Sequence, residues 1–298
     1  MTNTYQPHSN SQPNYLSQKQ YCFNKHPYEY VEYGTPNDKP TLLLGGIFHN
    51  AKSLGVIAEP LVKKGEYIIA FDSPGCGLAC ELESSFNFQY MVASIEHFMA
   101  KQGLKKANVM GYSFGTLLAY AFAKFYPSRV VKMVLIGAMR LPDSVFSGKI
   151  QAAIDAAEQG GKYPFAQLTV DYMFSPSKLG EIQNGEQNYQ MIRGWIAEKY
   201  GFYIEKLKNN LYRIQNNQLD YQTMPRVESH FISAQWDELT PMHHAQYLLQ
   251  KMNGQNMLAR HSIIPASSHM MYLENPHLLT EHITNALKIR VNLMEAIA

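Results

Sequence analysis

Five residues, Gly111-Tyr112-Ser113-Phe114-Gly115, stand between an apolar run and a long apolar helical pattern in ANVMGYSFGTLLAYAFAKFY, residues 107–126. A G-x-S-x-G pattern gains chemical meaning from that setting of strand, sharp turn and helix. Strand and helix approach so closely there that side chains at 111 and 115 would clash, and the central residue is held in a strained backbone. The strain lifts the Ser113 hydroxyl clear of the sheet edge, above a helix N-terminus that favours negative charge. Ser113 therefore reads as a nucleophile in need of a base. The plainer alternative is a capping serine that happens to lie between glycines.

A base and an acid are available where an open parallel sheet places its sites, just beyond strand ends. Asp237 follows the strand pattern of 228–236, in WDELTP at 236–241, and His269 follows that of 259–264, in PASSHM at 265–270. Serine is a weak nucleophile until a base takes its proton, and imidazole does so near neutral pH. A buried carboxylate then fixes the imidazole tautomer and stabilises its charged form. Asp237 also reads as a helix cap before Thr240-Pro241, and Glu238 is the alternative acid. Of the 11 histidines, His269 is favoured for its small-residue loop between strand and helix. His243 and His244 lie at a helix start and His261 in a strand. Acyl chemistry further needs backbone N–H groups aimed at the developing oxyanion. Phe114 N–H is one candidate. Ile47 N–H, in the Gly45-Gly46-Ile47-Phe48 loop, is the second, with an ordinary glycine turn as the alternative there.

These residues need a scaffold, and the apolar patterning supplies one. Short edge strands or a hairpin are predicted around His26-Pro27 (21–23 and 28–33). Apolar runs without alternation follow at 41–44, 67–71, before Ser113, and at 130–138, the pattern of strands covered on both faces. Helical patterns separate them at 53–64 and from Asn87 to about residue 102. The alternation implies a parallel, doubly covered sheet. It stops after the sixth strand. Residues 141–219 read as a helical insertion, with helices over 148–159, 164–174, 188–200 and 202–214. The sheet resumes at 228, with helices over 241–252 and from Pro276.

Composition bounds the possibilities. The chain has 298 residues, 46% hydrophobic and 17% charged, enough for a sizeable core. A net charge of +2 implies no strong attraction to nucleic acid or anionic membrane. Cys22, Cys76 and Cys80 cannot all pair and match no zinc spacing, so free thiols in a cytoplasmic protein are expected. Residues 1–19 are polar and lack an apolar core, so a disordered lead-in is expected there, not a secretory signal. No apolar run of about 18 residues exists, so no membrane insertion is expected.

LLLGGIF at 42–48, FDSPGCG at 71–77, GYSFG at 111–115, WDELTP at 236–241 and SHMMYLENP at 268–276 together resemble the α/β-hydrolase fold family, in its members with a serine nucleophile and a helical cap. The resemblance implies an α/β fold: a mostly parallel, doubly wound sheet from residues 20–140 and 220–298, with the cap at 141–219 inserted after the sixth strand. It implies Ser113, Asp237 and His269 as the catalytic set and no metal or organic cofactor. Asp72-Ser73-Pro74-Gly75 resembles a structural turn of the family. Two departures stand out. Gly45-Gly46 replaces a frequent His-Gly, and Thr116 stands where a further glycine is common.

The reading is a hydrolase for an apolar acyl ester or thioester, with Gly46, Phe48, Trp195, Trp236 and Met270 expected at the substrate. AAIDAAEQGG at 152–161, Tyr212-Arg213-Ile214-Gln215 and HFISAQWDELT at 230–240 are similar to bacterial 3-(3-hydroxyalkanoyloxy)alkanoate synthases. That likeness implies a second reading, acyl transfer from acyl carrier protein by the same residues. A non-catalytic binder on this fold is the third. The oligomeric state is not legible.

Overall fold

The structure, a computed structural model, describes residues 15–37, 39–140, 143–216 and 219–288. Strands β1 (Tyr15–Phe23) and β2 (His26–Tyr33) form an antiparallel hairpin. Its turn residues Asn24 and Lys25 have φ of 46° and 69°, the two-residue geometry that matches strand twist. The strands β3 (Thr41–Leu44), β4 (Ile68–Asp72), β5 (Ala107–Tyr112), β6 (Val130–Ile136), β7 (Glu228–Ala234) and β8 (Ala259–Ile264) run parallel. β2 joins β4 antiparallel, and the sheet order is β1-β2-β4-β3-β5-β6-β7-β8.

Helices in chain order are α1 (Gly55–Val62), α2 (Phe88–Lys101), α3 (Phe114–Phe125), α4 (Ser144–Asp155), α5 (Lys162–Phe174), α6 (Gly185–Asn216), α7 (Met242–Gly254), the single turn α8 (Met271–Glu274) and α9 (Pro276–Lys288). Every residue of β3 is buried, Leu42 and Leu44 in one apolar layer and Leu43 in the other. α2 and α3 supply the first layer, α1 and α9 the second. Burial on both faces is what the unalternating apolar runs require. α2 starts where predicted, with the Asn87 side chain accepting the Tyr90 N–H at 3.0 Å.

The chain leaves β3 for β4 on one side and returns to β5 on the other. The carboxyl ends of β3 and β5 therefore flank the switch in winding direction, where open α/β sheets place ligands. α4, α5 and α6 all lie between β6 and β7.

Two local expectations are corrected. β1 begins at Tyr15, inside the segment expected to be disordered; residues 1–14 lie outside the described residues. Cross-strand polar pairs hold it, Gln18 Nε2 donating to Glu29 at 2.8 Å and Lys19 Nζ to Glu32 at 3.5 Å. An exposed edge strand of that kind carries no apolar alternation to read. The helices predicted over 188–200 and 202–214 are one, α6. Gly201 lies within it with no atom within 4 Å of where a Cβ would stand. A mid-helix glycine costs about 1 kcal/mol and does not by itself end a helix. Tertiary contacts hold the C-terminal half. Buried Arg213 donates to the carbonyls of Leu82, Glu83 and Phe86 at 2.9, 2.7 and 2.6 Å, and Asn210 to that of Gly75 at 2.8 Å.

The described cysteines are free thiols. Among the described residues no helix is long and apolar enough to cross a membrane.

Candidate active site

Ser113 joins β5 to α3 with φ 53° and ψ −118°. Positive φ at a non-glycine residue costs of order 1–3 kcal/mol and persists only where packing dictates it. Packing does so here. A Cβ on Gly111 would lie 2.3 Å from the Gly115 carbonyl oxygen, and one on Gly115 would lie 2.1 Å from that of Leu44. The Ser113 N–H donates to Ile136 O at 2.8 Å, tying the turn to β6. Thr116, the residue that departs from the common glycine, grips the other side. Its hydroxyl donates to Ser113 O at 2.6 Å and accepts Met139 N–H at 3.2 Å.

The hydroxyl so presented meets His269 and, beyond it, Asp237. Ser113 Oγ is 2.8 Å from His269 Nε2, and His269 Nδ1 is 2.8 Å from Asp237 Oδ2. All three residues are at least 94% buried. Glu238 is exposed and takes no part. Asp237 is held by its own turn: Thr240 N–H reaches Oδ1 and Thr240 Oγ1 reaches Oδ2, both at 2.7 Å. The cap-like geometry foreseen as an alternative for Asp237 is thus present, and it orients the same carboxylate that receives His269. Thr240 was not singled out from the sequence, although Asp-x-x-Thr is a legible turn signal.

The His269 loop has its own brace. Glu274 accepts Ser268 N–H at 2.6 Å and Ser268 Oγ–H at 2.5 Å. Burial pushes its carboxyl up to about 6, against the pull of those two bonds. Tyr112 donates its hydroxyl to His269 O. His243 and His244, at the start of α7, instead face Asp143, with Nε2 3.6 and 3.7 Å from its Oδ2, and His261, on β8, pairs with the Ser233 hydroxyl at 3.0 Å.

Phe114 opens α3, so its N–H is among the first-turn donors with no acceptor inside the helix. Gly46 lies against Ser113: a Cβ there would be 3.3 Å from Ser113 Cβ. Gly46 O accepts His49 N–H at 2.9 Å, closing a tight turn over Ile47 and Phe48. That turn explains the glycine pair. A Cβ on Gly45 would meet His49 Cβ at 2.8 Å, and one on Gly46 would meet His49 Nδ1 at 3.0 Å. The imidazole of His49 thus folds back into the space the two glycines leave. Burial and the neighbouring His269 push it down to about 4, so it is neutral near pH 7, and its Nδ1 is buried without a partner. The sequence signal for His49 is weak, because only folding brings residue 49 back over 45 and 46.

A cavity of about 720 Å³ opens above Ser113, lined by Gly46, Phe48, Trp195 and Met270 among mostly apolar side chains of α4, α5 and α6. Trp236, also expected at the substrate, is not among the lining residues. Its main chain is bound on both sides, N–H to Ser267 O at 2.9 Å and O to the Ser175 hydroxyl, and its ring lies 5.1 Å from Lys178 Nζ. That fixes the ring away from the cavity.

Asp72, at the end of β4, ties the β3 loop to the β4 loop. One oxygen, Oδ2, accepts Ala51 N–H at 3.0 Å and Leu78 N–H at 3.1 Å. Burial pushes its carboxyl up to about 7 despite both bonds. The unfolded chain ionises near 3.9, so between those values the folded state binds the extra proton. This group's contribution to stability therefore falls as pH rises through that window. Asn at 72 keeps an oxygen for both N–H groups without the charge. Asp72→Asn should gain stability over wild type as pH rises from 4 to 8, by roughly 4 kcal/mol at most. Urea midpoints across that range measure it, and a constant difference would contradict it.

Comparison with known proteins agrees with the fold. A family model described as alpha/beta hydrolase fold matches residues 39–276, and the chain belongs to that family. A proline iminopeptidase of Lactobacillus delbrueckii subsp. lactis is 26% identical over 44% of this chain and 50% of its own length. A poly(3-hydroxyalkanoate) depolymerase of Ectopseudomonas oleovorans is 32% identical over 38% of this chain and 41% of its own. The chain thus spans about half the length, or less, of these curated relatives. Among solved structures, an alpha/beta hydrolase enzyme from a Medee basin deep-sea metagenome library superposes with a TM-score of 0.80 at 18% identity, covering 92% of this chain and all of the other. The enol-lactonase of Burkholderia xenovorans gives 0.75 at 17%, over 91% of this chain and all of the other.

Proposed function

We propose that the protein is a serine hydrolase that cleaves an ester or thioester of a mostly apolar acyl group. The carrying observation is the continuous buried line from Ser113 Oγ through His269 to Asp237, at 2.8 Å per step, opening into an apolar cavity. Ser113 Oγ attacks the acyl carbon and its proton passes to His269 Nε2. Asp237 holds the Nδ1–H and offsets the imidazolium charge. The oxyanion is received by the N–H groups of Phe114 and Ile47, each such donor lowering the barrier by about 3 kcal/mol. His269 returns the proton to the departing alcohol or thiol. Water, deprotonated by His269, then frees the acid and restores Ser113. No metal or organic cofactor enters any step.

Residues 141–219 act in this reading as a cap that excludes water from the acyl chain, and residues 20–140 with 220–298 as the catalytic core. Trp195 and Phe48, with ring centroids 6.4 Å apart, form part of the acyl wall. The free thiols suit a cytoplasmic location. A panel of p-nitrophenyl esters and acyl-pantetheine thioesters of graded chain length tests the proposal. Hydrolysis that rises with chain length into the medium range is expected. No turnover of any acyl ester or thioester would refute it.

A second reading keeps Ser113, His269 and Asp237 but gives the acyl group to a hydroxyl of another (3-hydroxy)acyl chain delivered on acyl carrier protein. The size of the cavity and the scarcity of polar groups in its lining favour it, since a second chain fits where water has little to bind. The product mass decides: an acyl-acyl ester supports transfer, and free acid alone supports hydrolysis.

A further inference from the structure

Asp143 precedes α4, and His243 and His244 open α7, so three ligand-type side chains from cap and core meet away from Ser113. Asp143 Oδ2 lies 3.6 Å from His243 Nε2 and 3.7 Å from His244 Nε2. The three ligand atoms all fall within 4.8 Å of one another. The two Asp–His distances are too long for hydrogen bonds. They are close to the spacing of about 3.3 Å between neighbouring ligands in a tetrahedral site with bonds near 2.0–2.1 Å.

We propose that Asp143, His243 and His244 bind one divalent transition-metal ion of the imidazole-preferring kind, zinc above all, and that the ion fastens the start of the cap to the core. Imidazole nitrogen with one carboxylate is a donor set that suits zinc, copper and nickel, not calcium or magnesium. The carboxylate is already oriented. Its other oxygen, Oδ1, accepts Phe146 N–H at 3.0 Å as the cap of α4, which leaves Oδ2 turned to the two imidazoles. A partner that fixes a ligand from behind is what such sites require. The two histidines are set by the first turn of α7, where His244 N–H donates to Pro241 O at 2.9 Å.

The surroundings fit an ion entering from one side. His244 is 1% exposed and its ring stands edge-on to Phe146, with centroids 5.8 Å apart, whereas His243 is 55% exposed and leaves a path for the ion. His244 turns its Nε2 toward the Asp143 carboxylate. Its Nδ1 is buried without a partner, so protein contacts alone leave the ring's hydrogen-bonding capacity unmet. Arg140, the nearby cation, lies on the face of Tyr247 at 4.4 Å, and the Asp143 carboxylate offsets its charge. Phe146 lines the cavity above Ser113, so the ion would sit behind the cavity wall and take no part in acyl chemistry. The inference does not depend on what the cavity binds.

The test is zinc chloride titrated calorimetrically into full-length protein freed of metal by chelator. One ion per chain with a Kd of about 10 µM or tighter is expected. His277→Ala, which removes an exposed histidine of α9, should leave that affinity unchanged. His243→Ala and Asp143→Asn should weaken it at least about tenfold. His243 is exposed, so its variant is expected to fold, and circular dichroism checks this. Cobalt should give visible absorption in wild type that is lost in both variants. Equal zinc affinity in wild type and His243→Ala, or a wild-type Kd above about 100 µM, would overturn the proposal.

Discussion

Ser113→Ala should lower kcat by about 10⁶-fold on any ester or thioester the wild type turns over, with the fold intact. The Ser113 hydroxyl is the only oxygen among the described residues bonded to His269 Nε2, at 2.8 Å. Its loss leaves His269 a base with no proton to take. Alanine tolerates the turn no worse than serine, because the strained φ of 53° comes from the close approach of β3, β5 and α3 and not from the side chain. The carbonyl bonds from Thr116 and the N–H bond to Ile136 are main-chain to residue 113 and survive. Near-UV circular dichroism and the melting midpoint should therefore match wild type within the range of a surface change. Residual catalysis from the oxyanion donors and acyl binding should remain about 10³–10⁴-fold above water. A loss smaller than tenfold would remove Ser113 from the chemistry.

Asp237→Asn should cost about 10⁴-fold in kcat, through the tautomer of His269. Thr240 N–H donates to Asp237 Oδ1 at 2.7 Å, and an Asn at 237 can answer it only with its carbonyl oxygen. The amide NH2 then replaces Oδ2, facing His269 Nδ1 and Thr240 Oγ1. An NH2 group facing Nδ1 requires a lone pair there, so the ring proton moves to Nε2 and points at Ser113 Oγ. His269 becomes a donor where a base is needed. The loss should ease at high pH as the serine hydroxyl becomes accessible to hydroxide. Steady-state kcat from pH 6 to 10 measures both features. A pH-independent loss of less than tenfold would mean that Asp237 does no more than cap its own turn.

Both predictions concern residues that were legible in sequence, and the reason is local. Ser113 carries its signal within five residues, because the close approach at Gly111 and Gly115 admits no side chain. Asp237 and His269 each follow an apolar run, so strand ends alone bring them to one edge of the sheet. What was not legible depends on contacts between distant segments. His49 becomes part of the site only when its turn folds over Gly45 and Gly46. Glu274 matters through Ser268, six residues away in sequence and bonded at 2.6 Å. The continuity of α6 past Gly201 rests on Arg213 and Asn210 reaching the 75–86 segment. The edge strand β1 is held by polar pairs that a hydrophobic pattern cannot reveal. Trp236 adjoins Asp237 in sequence, yet main-chain bonds on either side turn its ring elsewhere.

The measurement that bears most directly on the function is covalent labelling of the intact protein by a fluorophosphonate, followed by peptide mass spectrometry. A single adduct on the peptide that contains Ser113 is expected, formed quickly in wild type and at least about 10³-fold more slowly in His269→Ala. No adduct, or one at another residue while Ser113 stays unmodified, would contradict the assignment of Ser113 as the nucleophile and favour a protein that binds without catalysis.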